Sequence, residues 1–275
     1  MLGSFLALAG LAAAAGAWGV AIEPRLLRIR RHRIASRRWP GRWPALRIAV
    51  LSDIHAAWPH TGARRIGRIV ERILAEEPDL VLLPGDFVST RAQLQRPLPP
   101  AAIAEALAPL TRHPVVATLG NHDREHGGRE VAAALRDVGI VVLYDAWQPM
   151  PWGDGAVQLV GIPYLGDGRF DTRKGLSGLD PAAPTIVTSH TPDAFPHLSS
   201  EVLLTVAGHT HGGQVKLPGL PPPVTFSRLP RHMAKGLHRD GERFLYVSAG
   251  VGMSGPPVRF GVPPEIAVLT VTGEE

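Results

Sequence analysis

From residue 46 onward, runs of apolar residues stop repeatedly at short polar blocks. Leu46-Arg47-Ile48-Ala49-Val50-Leu51 reads as a buried strand ending at Asp53, and Asp79-Leu80-Val81-Leu82-Leu83 as a second ending at Gly85-Asp86. Between them, Thr61 to Glu77 places Ile66, Ile69, Val70, Ile73 and Leu74 on one helical face with arginines in the gaps. Ala101 to Leu107 predicts a second helix after the proline-rich connection Pro97 to Pro100. Val115 to Leu119 then predicts a strand that runs into Gly120-Asn121-His122-Asp123. A third helix is expected over Arg129 to Val138, stopping at Gly139. This alternation of strand and helix implies a largely parallel sheet with its functional residues at the carboxyl ends of the strands. The second half reads mainly as strands, over 141–143, 157–160, 185–188, 202–206, 243–247 and 266–271. Two facing sheets with helices outside accommodate the pattern, and no linker divides it, so residues 46–275 read as one α/β domain.

The first 45 residues follow another pattern. Met1 to Ile22 carries no charged side chain, and 22 helical residues would span roughly 33 Å, close to the hydrocarbon thickness of a bilayer. Arg25, Arg28, Arg30, Arg31, Arg33, Arg37 and Arg38 follow directly. The expectation is a single-pass signal anchor over 1–22 and a basic juxtamembrane arm over 23–45. The arginines would keep the catalytic domain on the cytoplasmic side of the inner membrane, against anionic headgroups. Two alternatives stand beside it: a cleavable signal ending near Ala15-Gly16-Ala17, and a buried N-terminal helix. A twin-arginine signal is disfavoured because the arginines lie behind the apolar run.

The charge balance changes with this division. The net charge is +5, yet nine of the 29 basic residues lie in 24–52 without an acid, and the remaining 20 stand against 23 of the 24 acids. The body is thus mildly acidic, and no specific nucleic-acid partner is expected of it. The chain has no cysteine, so thiolate metal ligands and disulfides are excluded.

The polar blocks carry the chemistry. Asp53-Ile54-His55, Gly85-Asp86, Gly120-Asn121-His122-Asp123, Ser189-His190 and Gly208-His209-Thr210-His211 all supply oxygen or imidazole donors suited to divalent metals. Their order and composition resemble those of the calcineurin-like metallophosphoesterases, over roughly Leu46 to Val271. The resemblance implies a four-layer α-β-β-α sandwich of two mixed sheets flanked by helices. It also implies two divalent metal ions, manganese first and iron or zinc as alternatives. Asp86 would bridge them; Asp53, His55 and His211 would hold the first, and Asn121, His190 and His209 the second. A hydroxide activated by the pair would attack phosphorus in line, His122 would protonate the leaving group, and Asp123 would orient His122. The tyrosine of purple acid phosphatases is absent from Gly85-Asp86-Phe87-Val88-Ser89, which argues against a ferric tyrosinate centre.

Further stretches narrow the resemblance. His190-Thr191-Pro192-Asp193, His211-Gly212-Gly213-Gln214-Val215, Gly250-Val251-Gly252-Met253-Ser254 and Pro257-Val258-Arg259-Phe260 look like bacterial membrane-linked phosphodiesterases, including UDP-diacylglucosamine pyrophosphatases. The expected function is therefore hydrolysis of a phosphodiester or pyrophosphate on a phosphorylated small-molecule or lipid substrate at the membrane. The alternatives are a soluble nucleotide substrate, or a metal-binding scaffold without catalysis. Nothing in the sequence names a protein partner.

Overall fold

The computed structural model describes residues 2–90, 95–164 and 172–274. Its strands are β1 (Arg28–Ser36), β2 (Leu46–Val50), β3 (Ala57–Trp58), β4 (Leu80–Leu83), β5 (Arg96–Pro97), β6 (Val115–Ala117), β7 (Val141–Val142), β8 (Ala146–Trp152), β9 (Gly155–Ile162), β10 (Thr185–Ser189), β11 (Val202–Ala207), β12 (Gly236–Asp240), β13 (Arg243–Val247) and β14 (Glu265–Gly273). The main helices are α1 (Leu2–Ala17), α2 (Ala63–Leu74), α3 (Pro100–Leu107) and α4 (Asn121–Asp137).

Two six-stranded sheets stack face to face, one ordered β1-β14-β2-β4-β6-β7 and the other β12-β13-β11-β10-β9-β8. In the first, β2, β4, β6 and β7 are parallel; in the second, β9, β10, β11 and β13 are. Antiparallel strands complete the edges, β8 on β9 and β12 on β13. All four residues of β4 are buried, as expected of a parallel strand covered on both faces. Ile48, Val50, Leu80 and Leu82 from the first sheet meet Leu159, Ile186, Leu204, Val206 and Tyr246 from the second in the central core. The outer face of the first sheet packs on α2, α3 and α4, through Ile66, Ile69, Ile73, Ile103, Leu107, Val131 and Leu135.

The mixed two-sheet architecture is as expected, with one outer layer reduced. Over the second sheet, Val160, Ile162 and Val187 are covered by Ala194 and Leu198, from and just after the 3-10 turn Pro192–His197, rather than by long helices.

The N-terminal expectation needs two corrections. First, the arginine-rich stretch is a strand: β1 pairs along its whole length with β14, from Arg28 opposite Glu265 to Ser36 opposite Gly273. The first sheet thus takes in residues 28–36, ahead of Leu46. Arginines on an edge strand discourage pairing with other chains, and Ile34 turns inward to full burial. Arg31 and Arg37 bond to Glu76 and Glu274 at 2.6 and 2.9 Å.

Second, no single helix runs over 1–22. α1 has 16 residues, about 24 Å, and continues as a π turn, Trp18–Ile22. That turn belongs to the body. The Gly19 carbonyl accepts from Arg259 N at 2.9 Å, and a Cβ there would lie 2.9 Å from Val258 Cγ2. Among the described residues, no helix is long and apolar enough to cross a membrane.

Candidate metal centre

Every expected ligand sits just beyond the carboxyl end of a parallel strand. Asp53 and His55 follow β2, Asp86 follows β4, Asn121 opens α4 after β6, His190 follows β10, and His209 and His211 follow β11. Both sheets contribute, and face-to-face stacking turns the two sets of strand ends toward one point.

The donors converge in two groups, and Asp86 of the second also reaches His55 of the first. Asp53, His55 and His211 form one, and Asp86, His190 and His209 the other, donor atoms within each lying within 4.8 Å of one another. His55 Nε2 and His190 Nε2 stand 3.5 and 3.4 Å from Asp86 Oδ2. His55 Nε2 is 3.1 Å from His211 Nε2, and His190 Nε2 is 3.1 Å from both Asn121 Oδ1 and His209 Nδ1.

The ring nitrogens are sorted by hydrogen bonds outside the centre. His190 Nδ1–H donates to the Pro84 carbonyl at 2.8 Å, and His209 Nε2–H to the Phe226 carbonyl at 3.1 Å. The lone pairs of His190 Nε2 and His209 Nδ1 are thereby aimed inward, the usual arrangement behind metal-bound imidazole.

Charge is distributed to match. Burial lowers His55 to about 3 and His209 to about 4, and holds His211 well below the ordinary histidine value. Burial also acts downward on His190, but the Asp86 carboxylate outweighs it and raises this group to about 9. Asp86 is the converse: burial pushes it up, and the surrounding histidines, His190 foremost, hold it well below the carboxylate range. Asp53 is raised by burial to about 6. Three neutral imidazoles, a His190 whose inward proton a metal ion would displace, and buried carboxylates fit two divalent cations.

The backbone is strained where the ligands sit. Asp53, His55, Asp86, His209 and His211 all have positive φ, between 41° and 70°. Such residues each cost of order 1–3 kcal/mol and persist where surrounding structure enforces them. Close packing does the enforcing: a Cβ on Gly120 would lie 2.1 Å from Asp86 Oδ1, and one on Gly208 2.3 Å from Asp53 Oδ2.

Asp123 requires a correction. Its carboxylate does not orient His122; it accepts from the backbone N–H of Asp86, Phe87, Val88 and Gly120 at 2.8 to 3.1 Å. Burial and then Asp86 raise it to about 7, while the amides of Gly120 and Val88 pull the other way. Asp123 is a positioning residue that pins the Asp86 loop to the start of α4.

His122 is flanked instead by Thr90 Oγ1, 2.5 Å from Nδ1, and Ser254 Oγ, 3.2 Å from Nε2. Its donor atoms lie within 4.8 Å of those of His55 and Asp86. Hydroxyls carry no distinctive spacing, so neither residue was legible as a site member, although Ser254 lies in one of the stretches singled out above. Tyr164, also missed, lies beside His209, its ring tilted by 31° with centroids 5.7 Å apart.

One buried arginine braces the centre. Arg259 is fully buried and donates to the carbonyls of Ala249, Gly250, Gly252 and Val262 at 2.6 to 3.1 Å. The loop so held returns amides to Ser52 O and Asp53 O, from Val251 and Gly252. Arg259→Met keeps most of the volume and strands those carbonyls, at about 1–3 kcal/mol for each unsatisfied group. A loss above about 3 kcal/mol should lower Tm by roughly 6–12 °C for a chain of this size. An unchanged melt would mean that water substitutes for the guanidinium.

The comparisons agree with this geometry. The family model described as calcineurin-like phosphoesterase matches residues 46–213, which hold every ligand named above. The chain is 30% identical to the metallophosphoesterase YkuE of Bacillus subtilis (strain 168), over 98% of its own length and 95% of that protein. It is also 30% identical to the phosphodiesterase YaeI of Escherichia coli (strain K12), over 90% and 89% of the two chains. Among solved structures, the NAD nucleotidase NadN of Haemophilus influenzae shares the fold at 14% identity. Its TM-score is 0.51, over 76% of this chain and 46% of that one. The chain therefore belongs to the calcineurin-like phosphoesterase family, as a metal-dependent phosphoester hydrolase.

Proposed function

We propose that the protein hydrolyses a phosphodiester or pyrophosphate bond in a lipid-linked substrate at the inner membrane, using two divalent ions that Asp86 and the two ligand groups would hold. The observation that carries the chemistry is the position of Asp86 Oδ2, 3.5 and 3.4 Å from imidazole nitrogens of the two ligand groups. When bound, the ions supply Lewis acidity and a water nucleophile of lowered pKa. Imidazole and carboxylate without thiolate suit manganese, with iron or zinc as alternatives. The chain's own residues do the rest. Asn121 presents its amide toward a phosphoryl oxygen, and His122 delivers a proton to the departing oxygen in line with the attack.

The lipid assignment draws on two exposed apolar features. The described side chains of α1, Leu11 among them, are exposed. The loop carrying Leu217, Leu220, Val224 and Phe226 is exposed as well, with Phe226 at 76%. That loop touches the centre directly, since the Phe226 carbonyl accepts from His209. With α1 resting on the cytoplasmic leaflet, the arginines behind it would meet that leaflet's anionic headgroups. A second reading, a soluble nucleotide, is favoured by the Tyr164 ring beside His209, which offers a stacking surface for a base.

The test uses full-length protein in detergent with manganese, assayed on a lipid-linked pyrophosphate, a soluble dinucleotide and a generic phosphodiester. Preference for the lipid substrate supports the proposal, and preference for the dinucleotide moves the assignment to the second reading. Removal of the metals with a chelator should abolish turnover. It should also lower Tm by roughly 5–10 °C, because ligand at a hundredfold excess over its Kd contributes about 2.7 kcal/mol. Full activity after dialysis against chelator would refute the metal chemistry.

A further inference from the structure

We propose that the arginine-lined cavity at the foot of α1 binds the phosphate of an anionic membrane-lipid headgroup, at a site separate from the metal centre. The cavity measures about 400 Å³; Arg25 closes one side, Arg64, Arg65, Arg68 and Arg72 of α2 another, and segment 58–60 a third. This inference rests on the membrane placement proposed above and not on the chemistry of the metal centre.

Four observations point to an anionic occupant. First, among the described residues no carboxylate lies within ion-pair distance of any of these five arginines, whereas Arg31, Arg37, Arg42, Arg239 and Arg243 each hold an acid. Second, local energetics oppose the arrangement. Arg64, Arg68 and Arg72 follow one another at four-residue spacing on one helical face, where like charges repel. Arg64 and Arg65 also occupy the first turn, where the helix dipole favours acids. A counter-charge from outside the chain relieves both.

Third, His60 lines the same cavity, is only 9% exposed, and its Nδ1 has no hydrogen-bond partner. A buried ring nitrogen left unpaired near Arg25 and Arg65 is a polar group awaiting a partner, and in the tautomer that protonates Nδ1 it would donate to an anion. Fourth, the cavity is held open as a built site. Arg65 donates to the carbonyls of Pro24 and His60, which ties the segment leaving α1 to the wall at 58–60. Burial, then Arg25 and Arg68, lower this guanidinium to about 10, so it remains charged at neutral pH.

The location selects a lipid as the source of the phosphate. Arg25 follows the π turn that ends the apolar N-terminal stretch. Trp58, 61% exposed, carries Arg96 5.6 Å from its ring centroid at the cavity rim. Tryptophan and arginine together at the end of an apolar helix mark headgroup depth. Planar guanidinium forks match phosphate oxygens. The wall at 58–60 continues the loop that carries Asp53 and His55, so a headgroup seated here anchors the metal loop against the bilayer.

Flotation of the full-length protein with vesicles tests this, using phosphatidylcholine alone and phosphatidylcholine mixed with phosphatidylglycerol. The variants are Arg64→Gln with Arg68→Gln, and a charge-matched control, Arg33→Gln with Arg112→Gln, outside the cavity. Wild type should prefer the anionic vesicles. The cavity variant should bind them roughly 10- to 30-fold more weakly, the effect of two arginines at a charged surface, with phosphatidylcholine binding and the control unchanged. Equal losses in both variants would replace the pocket by diffuse charge. Binding to both vesicle types alike would leave the membrane placement standing and overturn the pocket. Flotation with neither would remove the placement and the pocket with it. Saturable binding of inorganic phosphate without any vesicle preference would assign the cavity to a soluble anion and overturn the lipid.

Discussion

Asp86→Asn should leave a folded protein that no longer holds both metal ions and has lost about 10³-fold in kcat/KM. The asparagine preserves shape, and its side-chain oxygen can still accept from the His122 amide, the 2.9 Å bond that Asp86 makes at the start of α4. It removes the carboxylate that stands between the two ligand groups, 3.5 Å from His55 and 3.4 Å from His190. Metal charge on a transferring phosphoryl group is worth several kcal/mol, and about 4 kcal/mol corresponds to the loss given. The metal-free protein offers an independent check. His190 is raised to about 9 because Asp86 outweighs the downward push of burial. With Asp86 neutral, only that push and the weaker remaining contacts are left, so the His190 imidazolium should lose its proton at lower pH in an NMR titration. Two bound metals and near wild-type turnover in the variant would eliminate Asp86 as the bridge.

His122→Ala should show an effect that depends on the leaving group. For an alkoxide or a nucleoside phosphate, kcat should fall by about 10²–10⁴, the range for loss of a positioned general acid. For 4-nitrophenolate, which departs without a proton near neutral pH, the loss should be small. Equal losses on both substrates would instead make His122 a binding group or a metal ligand, a role its place within 4.8 Å of His55 and Asp86 donors permits. Thr90→Val and Ser254→Ala should each lose about 10-fold, as for groups that orient a ligand or catalytic ring. Because they act through the ring, their losses should follow the leaving group as the histidine variant's do, smaller on 4-nitrophenolate than on an alkoxide.

How far each feature was legible in the sequence depended on the range of the interactions behind it. The strand ends at Asp53, Asp86 and His190 were legible because short apolar runs stopping at polar blocks are a local signal. The helix over Ala63–Leu74 was likewise legible, its buried positions Ile66, Ile69, Val70 and Ile73 recurring at helical spacing. β1 escaped because only Ile34 and Ser36 of its nine residues are buried, and arginines at 28, 30, 31 and 33 resemble a solvated arm. The same limit hid the π turn at Trp18–Ile22: what ends α1 is a contact with Val258 and Arg259, some 240 residues away in the chain. Asp123 was misassigned for a related reason. Its proximity to His122 in sequence suggested a partner, while the amides that claim its carboxylate come chiefly from a loop 35 to 37 residues upstream.

The sequence by itself determined the donor set and its order, because metal chemistry dictates residue types and the parallel strands dictate where those types fall. It determined the family, the absence of thiolate chemistry and the break between an apolar, basic N-terminus and a mildly acidic body. Only the tertiary structure decided which nitrogen of each histidine faces inward, that Asp86 lies between the two groups, and that Thr90 and Ser254, rather than Asp123, flank His122. It alone decided that the arginines divide between an edge strand and a cavity where none of the described carboxylates pairs with them. These outcomes depend on side chains brought together from distant segments at distances of about 3 Å, and hydrogen bonding and charge at that range are set by packing rather than by local pattern.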